Sequence, residues 1–172
     1  PVFNESLIYL DELDDVIFLS LTNKNDNFSK NVINAGINAT SQLNAIKKFI
    51  ELNEIKKTIF LTPDGSFKNE IDKAISNSKI KILENYIYNT DPTKLTKQIE
   101  KITRYDIRKQ NLEEEKNRLE KSEESNKERL IEKLKKRDTL GNINFDSVII
   151  ADFDESLKSV ATSLLYTDVS PK

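Results

Sequence analysis

The sequence predicts an α/β fold: a parallel sheet with helices on both faces, from which a charged α-helical hairpin projects. Short apolar runs of strand length alternate with stretches whose apolar residues recur at helical intervals. Two of the runs are continuous rather than alternating, as in strands covered on both faces. Between Thr93 and Asp138 there are 46 residues without Gly or Pro, of which 26 are charged, a composition suited to solvated helix.

The first apolar run with strand character is Val16–Leu21. Thr22–Asn38, rich in Asn and Ser, reads as a loop or crossover. A helix is predicted from about Ser41, because Leu43, Ile46, Phe49 and Ile50 form the stripe of a half-buried helix. Thr58–Leu61 is short and wholly apolar after its first residue, hence a buried strand. It ends in the turn Thr62-Pro63-Asp64-Gly65-Ser66, and Phe67, Ile71, Ala74 and Ile75 then mark a second amphipathic helix. Ile80–Tyr88 reads as a strand, and its partial alternation places it at an edge. Asp91-Pro92-Thr93 is a helix start: the Asp side chain can cap free amides, and Pro at the first helical position forfeits no needed hydrogen bond.

In the charged segment Leu95, Ile99, Ile102 and Tyr105 can face a core. Beyond them the apolar stripe narrows to Leu112 and Leu119, then Leu130, Ile131 and Leu134. Glu100/Arg104, Glu114/Arg118, Glu123/Lys127 and Glu132/Lys136 are i,i+4 pairs in the favourable order, each contributing about 0.2–0.5 kcal/mol. The segment reads as a long helix to about Lys121, a reversal near Ser122–Asn126, and a shorter helix back to Arg137. Leu112 and Leu119 would then meet Leu130 and Leu134. One continuous exposed helix, or a two-chain coiled coil, is the alternative; the heptad interval 105-112-119 continues at the polar Asn126, against a sustained seam. Phe145–Ala151 is a buried strand, and Leu157, Val160, Ala161, Leu164 and Leu165 mark the last helix.

The composition narrows the function. A length of 172 residues suits one domain of ordinary size. There is no His and no Cys, which excludes disulfides, zinc sites of the usual kind, thiol nucleophiles and His-based acid–base chemistry. The net charge of −2 argues against broad attraction to nucleic acid or an anionic membrane. No apolar run reaches the roughly 18 residues needed to span a bilayer. The opening Pro1-Val2-Phe3, without Met, reads as a piece of a longer protein. Ile, Lys and Asn are abundant, as AT-rich codon usage would produce.

The strand–turn order around Thr62-Pro63-Asp64-Gly65-Ser66-Phe67, followed by a helix, a strand and Asp91-Pro92-Thr93, resembles the second lobe of type I periplasmic binding proteins. Three further segments sharpen the likeness: Arg104-Tyr105-Asp106-Ile107-Arg108-Lys109 with Leu112–Lys116; Asp138-Thr139-Leu140-Gly141 with Phe145–Ile150; and Leu164-Leu165-Tyr166-Thr167-Asp168-Val169-Ser170-Pro171. Together they are similar to the penicillin-binding protein activator branch of alphaproteobacteria. Departures occur at Gly65, Phe67 and Lys68 in the first turn, and at Phe153 and Asp154, where the family often has two glycines.

The resemblance implies that residues 1–38 end a first lobe and its crossover. Residues 39–172 then form the second-lobe domain, with the helical hairpin inserted at about 104–138. It implies a periplasmic or envelope location and a non-enzymatic domain that regulates a peptidoglycan synthase by protein contact. The alternative function is the solute-binding component of an ABC transporter for amino acids or similar small molecules. Neither an ABC permease nor a synthase partner calls for a cofactor, and no nucleophile–base pair suggests an enzyme.

Ligands of open parallel sheets sit at the carboxyl ends of the strands. That rule selects Thr62, Asp64, Ser66, Asp91, Asp152 and Asp154 as candidate ligand-binding residues, with Asp64 and Asp152 able to receive an ammonium or hydroxyl group. The competing assignment is that Asp64, Asp91 and Asp154 cap helices and shape turns. On the charged hairpin Arg104, Tyr105, Arg108, Leu112 and Leu119 are candidate partner-binding residues; otherwise the hairpin is a solvated protrusion held by local ion pairs. No aromatic residues are interleaved there to stack bases, so no nucleic acid is expected.

Overall fold

The computed structural model describes residues 15–21, 23, 30–65, 68–123 and 125–169. Its elements are β1 (Phe18–Ser20), β2 (Val32–Asn34), α1 (Ala39–Leu52), β3 (Thr58–Pro63), α2 (Lys68–Ser78), β4 (Glu84–Tyr88), α3 (Pro92–Thr103), α4 (Tyr105–Glu120), α5 (Lys127–Lys135), β5 (Ser147–Ile150) and α6 (Asp154–Tyr166). The chain divides into two units. One comprises the residues up to Glu54 with Asn69–Lys81, the other Ile55–Lys68 with Ile82 onward. Helix α1 groups with the residues before it in the first unit.

In the first unit β1 and β2 pair in parallel, Leu19 opposite Ile33. The run Val16–Leu21 contributes only three residues to its strand, and β2 lies within the segment read as loop. Its three residues, Val-Ile-Asn, are too few to show a period against the Asn-rich background. Helix α1 starts at Ala39, two residues before the expected Ser41, because Asn38 caps it. Asn38 Oδ1 accepts from the Ser41 amide at 2.9 Å, and Ser41 Oγ accepts from the Asn38 amide at 3.0 Å. Lys47 Nζ donates to the Ser78 carbonyl at 3.3 Å, joining α1 to the end of α2.

The second unit is built on a three-stranded parallel sheet in the order β4-β3-β5. The expected edge position of β4 follows from this order. Its strand begins at Glu84, so Ile80–Ile82 is approach rather than strand: Leu83, just outside, already donates its amide to the Thr58 carbonyl at 2.7 Å. Ile59, Leu61, Val148, Ile150, Tyr86 and Tyr88 share one face. Leu95 and Ile99 of α3, Phe145, and Val160 and Leu164 of α6 pack there to form the core. Burying a side chain such as Leu61 or Ile99 fully contributes about 1.5–3 kcal/mol. The opposite face carries Thr58, Phe60 and Thr62, also buried. Thr58 Oγ1 and Ser147 Oγ are 2.8 Å apart across the β3–β5 pair.

The long helix predicted from Thr93 is broken at Arg104, which adopts φ 55° and ψ 37° between α3 and α4. A left-handed residue of this kind is ordinarily Gly or Asn, and an arginine within a charged run gives no sign of it. After Lys121 the chain turns, and α5 packs on α4. Leu112 and Leu119 are buried, and Leu130, Ile131 and Leu134 are half-buried. Of the four expected i,i+4 pairs, Glu132–Lys136 forms at 3.8 Å, while Arg118 selects Glu115 and Lys116 selects Glu113, each at 2.8 Å. The hydrogen bonds from Arg118 hold the Glu115 carboxyl below the usual carboxylate range.

Candidate functional site

The carboxyl ends of β3, β4 and β5 form one rim, but the six residues selected there do not converge. Thr62 lies on the face opposite Tyr88, since Thr62 registers with Ile87 and Pro63 with Tyr88. It is 1% exposed, and its hydroxyl has no hydrogen-bond partner among the described residues. Asp64 is exposed; its amide donates to the Tyr88 carbonyl at 2.9 Å, which ties the β3 turn to the end of β4. Ser66 lies outside the described residues.

Two of the carboxylates are occupied by the chain itself. Asp91 Oδ1 accepts from the amides of Thr93 and Lys94, each at 3.1 Å, and Pro92 occupies the first helical position of α3. This is the capping role that competed with ligand binding. Asp152 Oδ2 accepts from the Tyr88 hydroxyl and from Ser156 Oγ, and its Oδ1 accepts from the Phe153 amide at 2.8 Å. Three donors of the chain meet there, so it fastens the end of β4 to the β5–α6 turn. Burial pushes the Tyr88 hydroxyl well above its ordinary value, and the hydrogen bond to the Asp152 carboxylate adds to the rise. Asp154 is exposed at φ 55° and gives α6 no side-chain cap; the turn is shaped by Asp152 two residues earlier. Asp64 and Asp154 remain as the rim carboxylates open to solvent.

Tyr88 and Ser156 were not selected from the sequence. Ser156 stands four residues after Asp152, in the first turn of α6. Tyr88 continues the alternation from Tyr86. Together these were the available signals.

The five candidate partner residues lie elsewhere, and four of them point inward. Tyr105, Arg108, Leu112 and Leu119 are 9%, 6%, 2% and 1% exposed; Arg104 alone faces solvent. Their packing is within this chain, which corrects the expectation of a docking surface made from them. Arg108 is the centre of that packing. Its Nη1 donates to the Thr167 carbonyl at 3.0 Å, and its Nη2 donates to Thr139 Oγ1 at 2.6 Å and to the Asp168 carbonyl at 3.1 Å. Thr139 Oγ1 in turn donates to Asp168 Oδ2 at 2.6 Å, which lies 3.6 Å from the guanidinium.

The backbone closes the same junction. The Leu140 amide donates to the Arg108 carbonyl at 2.9 Å, and Gly141, at φ 122°, sits beside Arg108 and Asn111 in a conformation that L side chains rarely adopt. The rings of Tyr105 and Tyr166 lie 5.4 Å apart, with Lys109 Nζ 5.9 Å from the Tyr105 centroid. Burial, then the neighbouring Tyr166, raises the Tyr105 hydroxyl above its ordinary value. A planar guanidinium with several donors can join two carbonyls, a hydroxyl and a carboxylate at once, which a lysine cannot.

No protein-family model, curated protein or solved structure matches the chain. Among the described residues no group of three or more Asp or Glu side chains could hold a metal ion, and no helix is long and apolar enough to cross a membrane.

Proposed function

We propose that this chain is a lobe of a type I periplasmic-binding-protein-like fold and acts, without catalysis, as an envelope regulator of a peptidoglycan synthase through protein contact. The observation that carries this is the junction at Arg108. The three sequence segments that resemble the activator branch, separated by some 30 residues from one another, meet there: Arg108 of the first reaches Thr139 of the second and Thr167 and Asp168 of the third. A motif scattered along a sequence and gathered at one buried contact has a structural reason to exist as a set. The β4-β3-β5 order adds support. Its first strand lies in the middle, so the chain reverses direction there, as in open sheets that take ligands outside their strand ends.

In this account α4 and α5 form a projecting hairpin whose root is locked by Arg108. The exposed side of α4 meets the partner, while Tyr105, Arg108, Leu112 and Leu119 hold the hairpin in position. Any ligand at the rim would act by binding two arrangements of the parent protein unequally, since only a difference in affinity shifts an equilibrium. The direct experiment is biolayer interferometry of the chain against purified bifunctional peptidoglycan synthases, with glycan polymerisation measured in parallel. Saturable binding and a changed polymerisation rate are expected. Absence of both, with calorimetric uptake of an amino acid by the same chain, would overturn the regulator assignment in favour of solute binding.

A further inference from the structure

The net charge of −2 conceals a separation. Residues 93–138 hold 15 basic and 11 acidic residues, and the rest of the chain holds 12 and 18. Within the basic segment the excess resides in 127–137, with six cations (Lys127, Arg129, Lys133, Lys135, Lys136, Arg137) against Glu128 and Glu132. These residues are α5 and its end, and the helix sorts them. Leu130, Ile131 and Leu134 form the half-buried side of a helix that packs on α4. Arg129 and Lys133, four residues apart, share another side; Lys136 caps the helix three residues on and Arg137 follows it, its amide donating to the Leu134 carbonyl at 3.1 Å, and all four are exposed.

Little in the chain neutralises them. Lys136 has Glu132 at 3.8 Å, with both side chains more than 70% exposed, an arrangement of little energetic weight. Arg129, Lys133 and Arg137 have no ion-pair partner among the described residues. Cations at the end of a helix favour its dipole, which accounts for Lys135 and Lys136. It does not account for Arg129 near the start of α5.

We propose that the Arg129–Arg137 side of α5 is a docking surface for an anionic phospholipid bilayer. Four to eight Lys or Arg on an amphipathic helix suit an acidic lipid surface. The presented side weighs most there, since the field decays within about a Debye length, roughly 10 Å. Lipid headgroups move laterally and gather under fixed cations, so no matched spacing is required. Nucleic acid fits less well. Duplex binding at useful salt draws on about six to ten phosphate contacts, and 127–137 contains no aromatic residue for stacking and no Asn or Gln to read a base edge. The apolar side of α5 is occupied by α4, so the contact is electrostatic and without insertion. This proposal does not depend on the regulator assignment.

The test is co-sedimentation of the full chain with vesicles of phosphatidylcholine alone and of phosphatidylcholine with about one-third phosphatidylglycerol. Binding is expected only to the acidic vesicles and is abolished by high salt. The variant Arg129→Gln/Lys133→Gln/Lys136→Gln/Arg137→Gln should lose it by about fivefold per cation, on the order of several hundredfold in all. A control, Lys94→Gln/Lys97→Gln/Lys101→Gln/Lys158→Gln, should bind as the parent does. Circular dichroism verifies that both variants are folded. Equal binding to neutral vesicles, equal loss in the control, or a stronger α5-dependent affinity for a fluorescent DNA duplex or an acidic peptide would each overturn the proposal.

Discussion

Replacing Arg108 with Met keeps most of the side-chain volume and removes the guanidinium. Three hydrogen bonds vanish, to the Thr167 and Asp168 carbonyls and to Thr139 Oγ1, in a residue 6% exposed. Each bond from a charged donor contributes about 1.5–3 kcal/mol net. Not all is lost, because Thr139 can still donate to Asp168, and the Asp168 side chain is 38% exposed, so water can take over part of its solvation. We expect a loss of about 3–5 kcal/mol, the range for breaking a buried ionic contact from one side. That is a large part of the roughly 5–15 kcal/mol total of a typical domain. Urea unfolding followed by circular dichroism measures it, with Lys109→Met as comparator: that side chain lies only over the Tyr105 ring and should cost no more than about 1 kcal/mol. Hydrogen exchange should show α4 and α5 losing protection before β3. If Arg108→Met costs less than about 1 kcal/mol, the junction is incidental, and the argument from convergence of the motif segments fails with it.

Further outcomes follow from the same geometry. Tyr88 has a folded pKa above its unfolded value because of burial and its bond to Asp152. Above about pH 10 the unfolded state then releases a proton that the folded state keeps, so the stabilisation present at neutral pH is lost as pH rises further. Tyr86, pushed up to about 12 by burial and its hydrogen bond to Glu84, acts in the same direction. Denaturation at increasing pH should show Tyr88→Phe less sensitive than the parent above pH 10, and equal sensitivity would refute the assignment. Lys79 follows α2 at φ 52°, so Lys79→Gly should raise stability by about 0.5–1 kcal/mol in the same urea assay; a lower midpoint would contradict it. Gly141→Ala should cost at least about 1 kcal/mol, since φ 122° excludes a Cβ without strain even though the surrounding space would admit one. An unchanged thermal midpoint would show that the turn can rearrange.

Much of the second unit was legible because its elements obey simple periods. The apolar run at Thr58–Leu61, the Asp-Pro helix start at Asp91 and the stripe through Val160 and Leu164 each state their structure locally. What was not legible depended on long-range company. Arg108 sits between Tyr105 and Leu112 at the spacing of one helical stripe, and that interruption of an apolar stripe by a charge was the available signal. Its meaning needed Thr139 and Thr167, which are 31 and 59 residues away. The break at Arg104 could not be seen, because a chain with three glycines uses other residues in left-handed positions: Glu54, Lys79, Arg104, Asp154 and Asp168 all have positive φ. At the rim, capping by Asp91 was foreseen as the competing role, whereas the hydrogen bonding of Tyr88 and Ser156 to Asp152 required knowing which face each strand residue takes.

The central claim is that β3 runs parallel between β4 and β5, since the rim, the junction and the proposed lobe all stand on that order. A chain without cysteine permits a direct test. Thr58→Cys/Ser147→Cys replaces two hydroxyls 2.8 Å apart and should form a disulfide rapidly and nearly completely in mild oxidant, shown by a mobility shift that reductant reverses. Thr58→Cys/Ile150→Cys, three residues further along β5, should remain reduced. Cross-linking of the second pair in preference to the first would contradict the strand register and the account built on it.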